Sequence, residues 1–301
     1  MWELSRVSLP RTGVLHGSCL RGGVLPWRRI PVLVLTLLLC VNRLSAATAI
    51  PFQFRDGMVW LKVEVPGKIE PLNFLLDSGA GASVVDLAAA RRLGLKLGAR
   101  QNVQGVHSRS VAYRVEGFSA HAASVAIPTS LLAVDLSGPS RACHQRIDGL
   151  LGADFFRDRI VQIDFASQTI RLLQRSEVNE TGCEILSLTT RHGVLCARVA
   201  VDGNAPEWLR LDTGCNTSLE WVVTGAKAKK LGLTTIGLNS GSAHEIRTQV
   251  QLGAKRIAAV KTGIHTEQIF AGEAGLIGNG LLSRFTVTID PAKRRCLLAS
   301  R

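Results

Sequence analysis

Apolar and polar residues alternate in short runs along most of this chain, and the runs recur about every ten residues. A period of two puts one face of a segment into a core and the other into water, which is the signature of strands. Runs of this kind occupy 58–65, 71–76, 101–106, 110–118, 121–127, 159–165 and 169–173. A second series occupies 194–201, 207–212, 234–238, 246–252, 255–262, 285–290 and 294–299. Helical signals are confined to two short stretches capped at both ends. Asp86 precedes Leu87–Leu93 with Gly94 after it, and Thr224 precedes a stretch from Gly225 to Leu231 with Gly232 after it. Brief turns are expected after Gly152 and Gly278. The pattern predicts an all-β protein with few short helices, in closed or sandwiched sheets.

The two series are in register. Gly57 and Gly193 each open an alternating strand 136 residues apart, and Gly67 and Gly203 keep that offset. Asp77 and Asp212 are 135 apart, the capped helices 138. Asp148-Gly149-Leu150-Leu151-Gly152 then faces Ala274-Gly275-Leu276-Ile277-Gly278 at an offset of 126, as Val161–Asp164 faces Val287–Asp290. The chain reads as two copies of a unit of about 125 residues whose drift falls in loops, the second copy having the shorter one. The domains expected are 1–49 as a signal peptide or N-terminal extension, 50–175 as an N-terminal unit and 176–301 as a C-terminal unit.

The first 49 residues stand apart. Arg28-Arg29 precede an apolar run from Ile30 to Val41, and Ala47-Thr48-Ala49 supplies small residues at a cleavage spacing. Twelve apolar residues are too few to span about 30 Å of hydrocarbon. The segment therefore reads as an export signal, giving a periplasmic or secreted protein that is membrane-anchored only if the leader is retained. A lipoprotein at Cys40 is disfavoured because Leu39 stands where a small residue is needed. The leader carries about five of the +13 formal charges.

The surplus that remains has no basic cluster with interleaved aromatics, and the chain has one Tyr and five Trp, which argues against nucleic-acid binding. Cys143, Cys183, Cys196, Cys215 and Cys296 follow the leader without CxxC spacing; export allows one or two bridges, and buried free thiols serve as well. No HxH or HExxH pattern is present among seven His, so no metal and no cofactor are expected. A serine hydrolase is a weak third reading, because no GxSxG elbow is present.

One stretch recurs with its chemistry intact. Phe74-Leu75-Leu76-Asp77-Ser78-Gly79-Ala80 and Leu209-Arg210-Leu211-Asp212-Thr213-Gly214-Cys215 each end an apolar strand in Asp-Ser/Thr-Gly. Ser83-Val84-Val85 follows the first and Ser218-Leu219 the second, with Leu150-Leu151-Gly152 and Leu276-Ile277-Gly278 completing them. A lone Asp-Ser/Thr-Gly is a common turn, but two in matching surroundings are not.

These residues resemble the aspartic peptidase superfamily, in particular its retropepsin-like branch, with two lobes fused in one chain as in pepsin-like enzymes; the resemblance covers about residues 50 to 300. It implies two pseudo-twofold-related β-barrel lobes with the active site between them. Asp77 and Asp212 would form a dyad sharing one proton, one member a base for water and the other an acid. Gly79 and Gly214 would let backbone approach the carboxylates, and Ser78 and Thr213 would hydrogen-bond across the lobe boundary. Hairpin flaps would hold an extended peptide or protein substrate by strand addition. Their candidate tips are Gly105, Val106 and His107 in the first lobe and Asn239, Ser240 and Gly241 in the second.

The function expected is an exported aspartic endopeptidase acting as a monomer without a stable membrane span after leader removal. The alternative is a weak or inactive peptide-binding module on the same fold. Asp148, Asp154, Asp164 and Asp290 read as turn or cap residues, His107 and His244 as exposed polar residues, and Cys215 as a small packed side chain.

Overall fold

The computed structural model describes residues 49–105, 108–225 and 244–301. In the first half of that span the strands are β1 (Ala49–Arg55), β2 (Met58–Val63), β3 (Leu72–Leu76), β4 (Val84–Asp86), β5 (Lys96–Gly105), β6 (Ser108–Glu116), β7 (His121–Ala122), β8 (Val125–Ala126), β9 (Leu132–Val134), β10 (Gly149–Leu151), β11 (Ile160–Asp164) and β12 (Thr169–Leu173). Helices α1 (Leu87–Leu93) and α2 (Ser137–Ala142) and a 3₁₀ turn at Ala153–Phe156 interrupt them. The second half has β13 (Cys183–Arg191), β14 (Val194–Val201), β15 (Glu207–Asp212), β16 (Leu219–Val222), β17 (His244–Leu252), β18 (Lys255–His265), β19 (Gly275–Gly278), β20 (Phe285–Asp290) and β21 (Arg295–Ser300), with helix α3 (Asn279–Leu282) after β19.

The protein is all-β, as the alternation predicts, and the same pairings occur twice. In the first half β2 pairs antiparallel with β3, β3 runs parallel to β10, and β10 lies antiparallel to β4. In the second, β14 pairs with β15, β15 runs parallel to β19, and β19 lies antiparallel to β16. The outer neighbours correspond too: β4 is parallel to β9, and β16 to β18. Each Asp-Ser/Thr-Gly loop thus leaves a strand pinned between two others, with most of their side chains buried.

Six strands tie the halves together in the order β1, β12, β11, β20, β21, β13. At its centre β11 meets β20 antiparallel, with Val161 opposite Ile289, Gln162 opposite Thr288 and Ile163 opposite Val287. Positions that correspond in the two sequences, Gln162 and Thr288, therefore face each other across a local twofold, and Gln162 Nε2 donates to Thr288 Oγ1 at 3.1 Å. Beneath, one cluster of buried side chains runs through both halves and includes Phe74, Leu76, Leu151, Leu211, Trp221 and Ile277.

Helix α1 forms where its caps demand. Asp86 accepts the Ala89 N–H, and Gly94 adopts a left-handed backbone at φ 73 that lets its N–H reach the Ala90 and Arg91 carbonyls. Its expected counterpart at 225–231, and the strand at 234–238, lie outside the described residues apart from Gly225. The single strand expected at 121–127 is instead the hairpin β7–β8, broken at Ala123, whose φ is 51. It lays Ala122 and Val125 into the core and bridges to Glu64 through His121. The turn that joins β17 to β18 holds the same place in the second half, where Gln251 lies opposite Ala200 as His121 lies opposite Glu64.

Candidate active site

The aspartates are carried by the two pinned strands. Asp77 follows β3, its N–H donating to the Leu151 carbonyl at 2.9 Å, and Asp212 is the last residue of β15. Both loops turn back through their own carboxylates: Gly79 N–H and Ala80 N–H donate to Asp77 Oδ1 at 3.1 and 3.0 Å, and Gly214 N–H donates to Asp212 Oδ1 at 2.9 Å.

The hydroxyls between them form a reciprocal lock. Ser78 Oγ donates to the Leu211 carbonyl at 2.7 Å and accepts the Thr213 N–H at 3.1 Å. Thr213 Oγ1 donates to the Leu76 carbonyl at 3.0 Å and accepts the Ser78 N–H at 2.9 Å. Both side chains are buried, so every group in this four-bond ring depends on the other half for its partner. Ser and Thr serve here because a hydroxyl alone can donate and accept at one atom.

The glycines set the distance. A Cβ on Gly79 would lie 2.4 Å from Asp212 Cγ, and one on Gly214 would lie 2.5 Å from Asp77 Cγ. Each loop therefore presses bare backbone against the carboxyl of the other, and the two carboxyls come within hydrogen-bonding reach of each other. Asp212 is buried, whereas Asp77 keeps part of its surface open.

This crowding sets the proton affinities. Burial raises the Asp77 carboxyl above its ordinary range, against the pull of the Ala80 and Gly79 N–H groups and of Arg210. Burial likewise raises Asp212, and the negative charge of Asp77 raises it further. Two carboxyls so placed do not titrate independently of each other.

The elements that complete the motif pack behind. Ser83 Oγ accepts the Gly152 N–H and donates to Asp154 Oδ1 at 2.6 Å, and Asp154 also takes the Ser83 N–H. Asp154 is thus a strut behind the site and not a simple turn residue. Asp148 also departs from the turn reading: it is buried, accepts the Asn73 N–H at 3.0 Å and pairs with Arg92 and Arg146. Asp164 and Asp290 do close turns, at Ala166 and Lys293. Cys215 packs with its Sγ 3.1 Å from Thr217 Oγ1, and burial pushes its thiol up to about 11. Cys143, Cys183, Cys196, Cys215 and Cys296 are all unpaired thiols.

The structure thus brings together Asp77, Ser78, Gly79, Asp212, Thr213 and Gly214. Gly105 ends β5 opposite Ser108, so a hairpin closes at that point of the chain. Val106, His107, Asn239, Ser240 and Gly241 lie outside the described residues.

Three residues of the site escape sequence reasoning. Asn279 is buried and donates through Nδ2 to the Thr213 carbonyl at 2.7 Å and to the Gly57 carbonyl at 2.8 Å, bracing the second loop against the turn between β1 and β2. Arg210 and Glu273 form a buried ion pair, with Nε to Oε2 and Nη2 to Oε1 both at 2.7 Å. An arginine inside an otherwise apolar strand two residues before Asp212 was the available signal.

Residues 61–155, from β2 to the turn after Gly152, match the family model described as aspartyl protease. The match includes Asp77-Ser78-Gly79 and Leu150-Leu151-Gly152. No curated protein matches the chain.

Proposed function

From an aspartyl protease domain at residues 61–155 we infer an aspartic endopeptidase whose working pair is Asp77 and Asp212. The observation that carries this reading is the reciprocal approach of Gly79 to the Asp212 carboxyl and Gly214 to the Asp77 carboxyl, which sets the two acids close together. A pair holding one proton has a base and an acid side by side. The ionised carboxylate takes a proton from water as its oxygen attacks the peptide carbonyl carbon, and the protonated carboxyl gives its proton to the carbonyl oxygen. Collapse of the resulting diol returns a proton to the amine nitrogen as the C–N bond breaks.

The substrate class proposed is a peptide in extended form, whose backbone would pair with the edge offered by the β5–β6 hairpin. Buried carboxyls kept adjacent at a desolvation cost favour turnover over a binding role alone. Export through the leader, and action as a monomer in which one chain supplies both aspartates, belong to the same proposal.

The test is cleavage of a mixed peptide library by the purified chain between about pH 3 and about pH 7, beside Asp77→Asn and Asp212→Asn. Cutting by the wild type alone supports the pair, and the cut sites then give the side-chain preference. A folded wild type that binds peptides without cutting them makes the chain a binding module, and cutting by either variant removes these residues from the reaction.

A further inference from the structure

The two aspartates sit in matched backbone but in unmatched charge. Two residues before Asp77 stands Leu75, in an apolar cluster with Ile147, Met58, Trp60 and Leu136. The corresponding positions of the second half are Arg210 and Glu273, both buried. Their ion pair is bidentate, and the guanidinium carbon lies over Phe270, 3.3 Å from the ring centroid. Charge in such a place gains little for stability over an apolar pair of similar volume, and the first half shows that an apolar pair fills the same position.

What the pair does is visible at its third contact. Arg210 Nη1 donates to the Gly79 carbonyl at 2.9 Å, crossing from the second half to the loop of the first. That carbonyl belongs to the same peptide unit as the Ala80 N–H, which donates to Asp77 Oδ1 at 3.0 Å. A cation on the oxygen of an amide polarises it and strengthens the N–H as a donor. Asp77 thereby receives two N–H bonds, one of them charge-assisted at a distance of one peptide. The Ala80 N–H is shared between the Asp77 carboxyl and the Asp77 main-chain oxygen at 3.1 Å, whereas the Cys215 N–H reaches only the main-chain oxygen of Asp212 at 3.3 Å, so the Asp212 carboxyl takes the Gly214 N–H as its one backbone donor among the described residues.

We propose that Arg210, held in place by Glu273, is a positioning residue that makes Asp77 the ionised member of the pair and leaves the shared proton on Asp212. The charged groups that bear on Asp77 are Asp212, and Arg210 with its partner Glu273; the Arg210 charge also favours the ionised form of Asp212, so the discrimination rests on the contact of Arg210 Nη1 with the Gly79 carbonyl. The nearest thiols, Cys196 on β14 and Cys215, are pushed up by burial to about 12 and about 11 and stay neutral. From β10 and β4 the neighbours are Leu150, Leu151, Val84 and Val85. On the turn after β13, Arg191 and His192 reach the Gly272 and Ala271 carbonyls, on the Glu273 loop. In catalysis, which rests on the peptidase reading, Asp77 would be the base toward water and Asp212 the acid toward the carbonyl oxygen.

The experiment reads the proton directly. Carboxyl carbons of aspartate are labelled with ¹³C in the full chain, and the Asp77 and Asp212 signals are followed across pH. The expected result in the range where the pair holds one proton is a carboxylate shift at Asp77 and a protonated shift at Asp212. Arg210→Leu combined with Glu273→Ile, which installs first-half-like apolar residues, should draw the two signals together. It should also move the acid limb of kcat/KM up by about one pH unit and lower kcat about tenfold with KM little changed.

Glu273→Gln frees the arginine charge and should move the same limb down, a reversal that a merely structural ion pair would not produce; it decides the question should the double variant not fold. Arg210→Lys should restore the limb in part. A protonated Asp77 in the wild type, or unchanged shifts in both the double variant and Glu273→Gln, would overturn the proposal. A wild type that cuts no peptide defeats the peptidase reading alone, since the carboxyl signals still report where the proton lies.

Discussion

The first half of the molecule surrounds its aspartate with apolar side chains and two backbone donors; the second half supplies one donor, an arginine and a glutamate. Strand pairing, the hydroxyl lock and the glycine contacts hardly differ between them. The contrast separates two requirements. Bringing the carboxyls together is a geometric task, and two similar halves accomplish it with the same hydrogen bonds read in both directions. Giving one carboxyl the role of base and the other that of acid is an electrostatic task, and matched halves cannot accomplish it. The charge difference is concentrated at Arg210 and Glu273, with the backbone almost undisturbed.

The glycines offer the most severe way to break this comparison. Gly79→Ala and Gly214→Ala each place a methyl group into a carboxyl of the other half. Both should lower kcat/KM by about 100-fold or more, because displacement by about 1 Å is enough to do so. Loss in only one of the two, with cleavage assays as the measure, would show that the halves do not contribute equally to the geometry.

The lock comes next. Ser78→Ala strips the Leu211 carbonyl and the Thr213 N–H of their partners, and Thr213→Ala does the same to the Leu76 carbonyl and the Ser78 N–H. Each should cost about 2–4 kcal/mol in urea unfolding, by the cost of leaving two buried polar groups unpaired. Thr213→Ser, which keeps the hydroxyl, should cost less than about 1 kcal/mol, the scale of one buried methyl.

The smallest effect concerns stability against pH. The folded chain raises both carboxyls, so it binds protons more tightly than the unfolded chain does. Stability from this source is fully present below about pH 4 and is lost as pH rises through the folded values. Asp212→Asn removes the loss. At neutral pH it should be more stable than the wild type by about 1–2 kcal/mol, with the gain vanishing toward about pH 4. An advantage over the wild type no greater at neutral pH than at acid pH would mean that the pair is not under electrostatic stress.

Much of this was legible in the chain. The strands at 169–173, 194–201, 207–212 and 285–290 lie where the alternation puts them, and α1 lies between its two caps. The loops of Asp77 and Asp212 were legible because their chemistry is local: carboxyl, hydroxyl and glycine stand side by side in sequence. Strands β4, β10 and β19 were not legible as strands. They are three or four residues long, too short for an alternation to mark them. Strand β13 carries alternation that a turn-rich approach conceals, and β1 begins at Ala49, where the leader was expected to end. Asn279, Arg210 and Glu273 act over 63 residues or more of chain, and nothing in the neighbourhood of any one of them names its partner.

The sheet that joins the halves has a consequence in time. Its central pairing is made by β20, and β21 closes its far side against β13, so the join draws on two strands that follow both aspartates in the sequence. A chain still emerging from the ribosome exposes Asp77 long before Asp212, and presents both before the strands that clamp the halves together exist. Neither half closes the Ser78–Thr213 ring alone, so the order of the strands makes the finished site a product of the joined halves, however early the first aspartate is made.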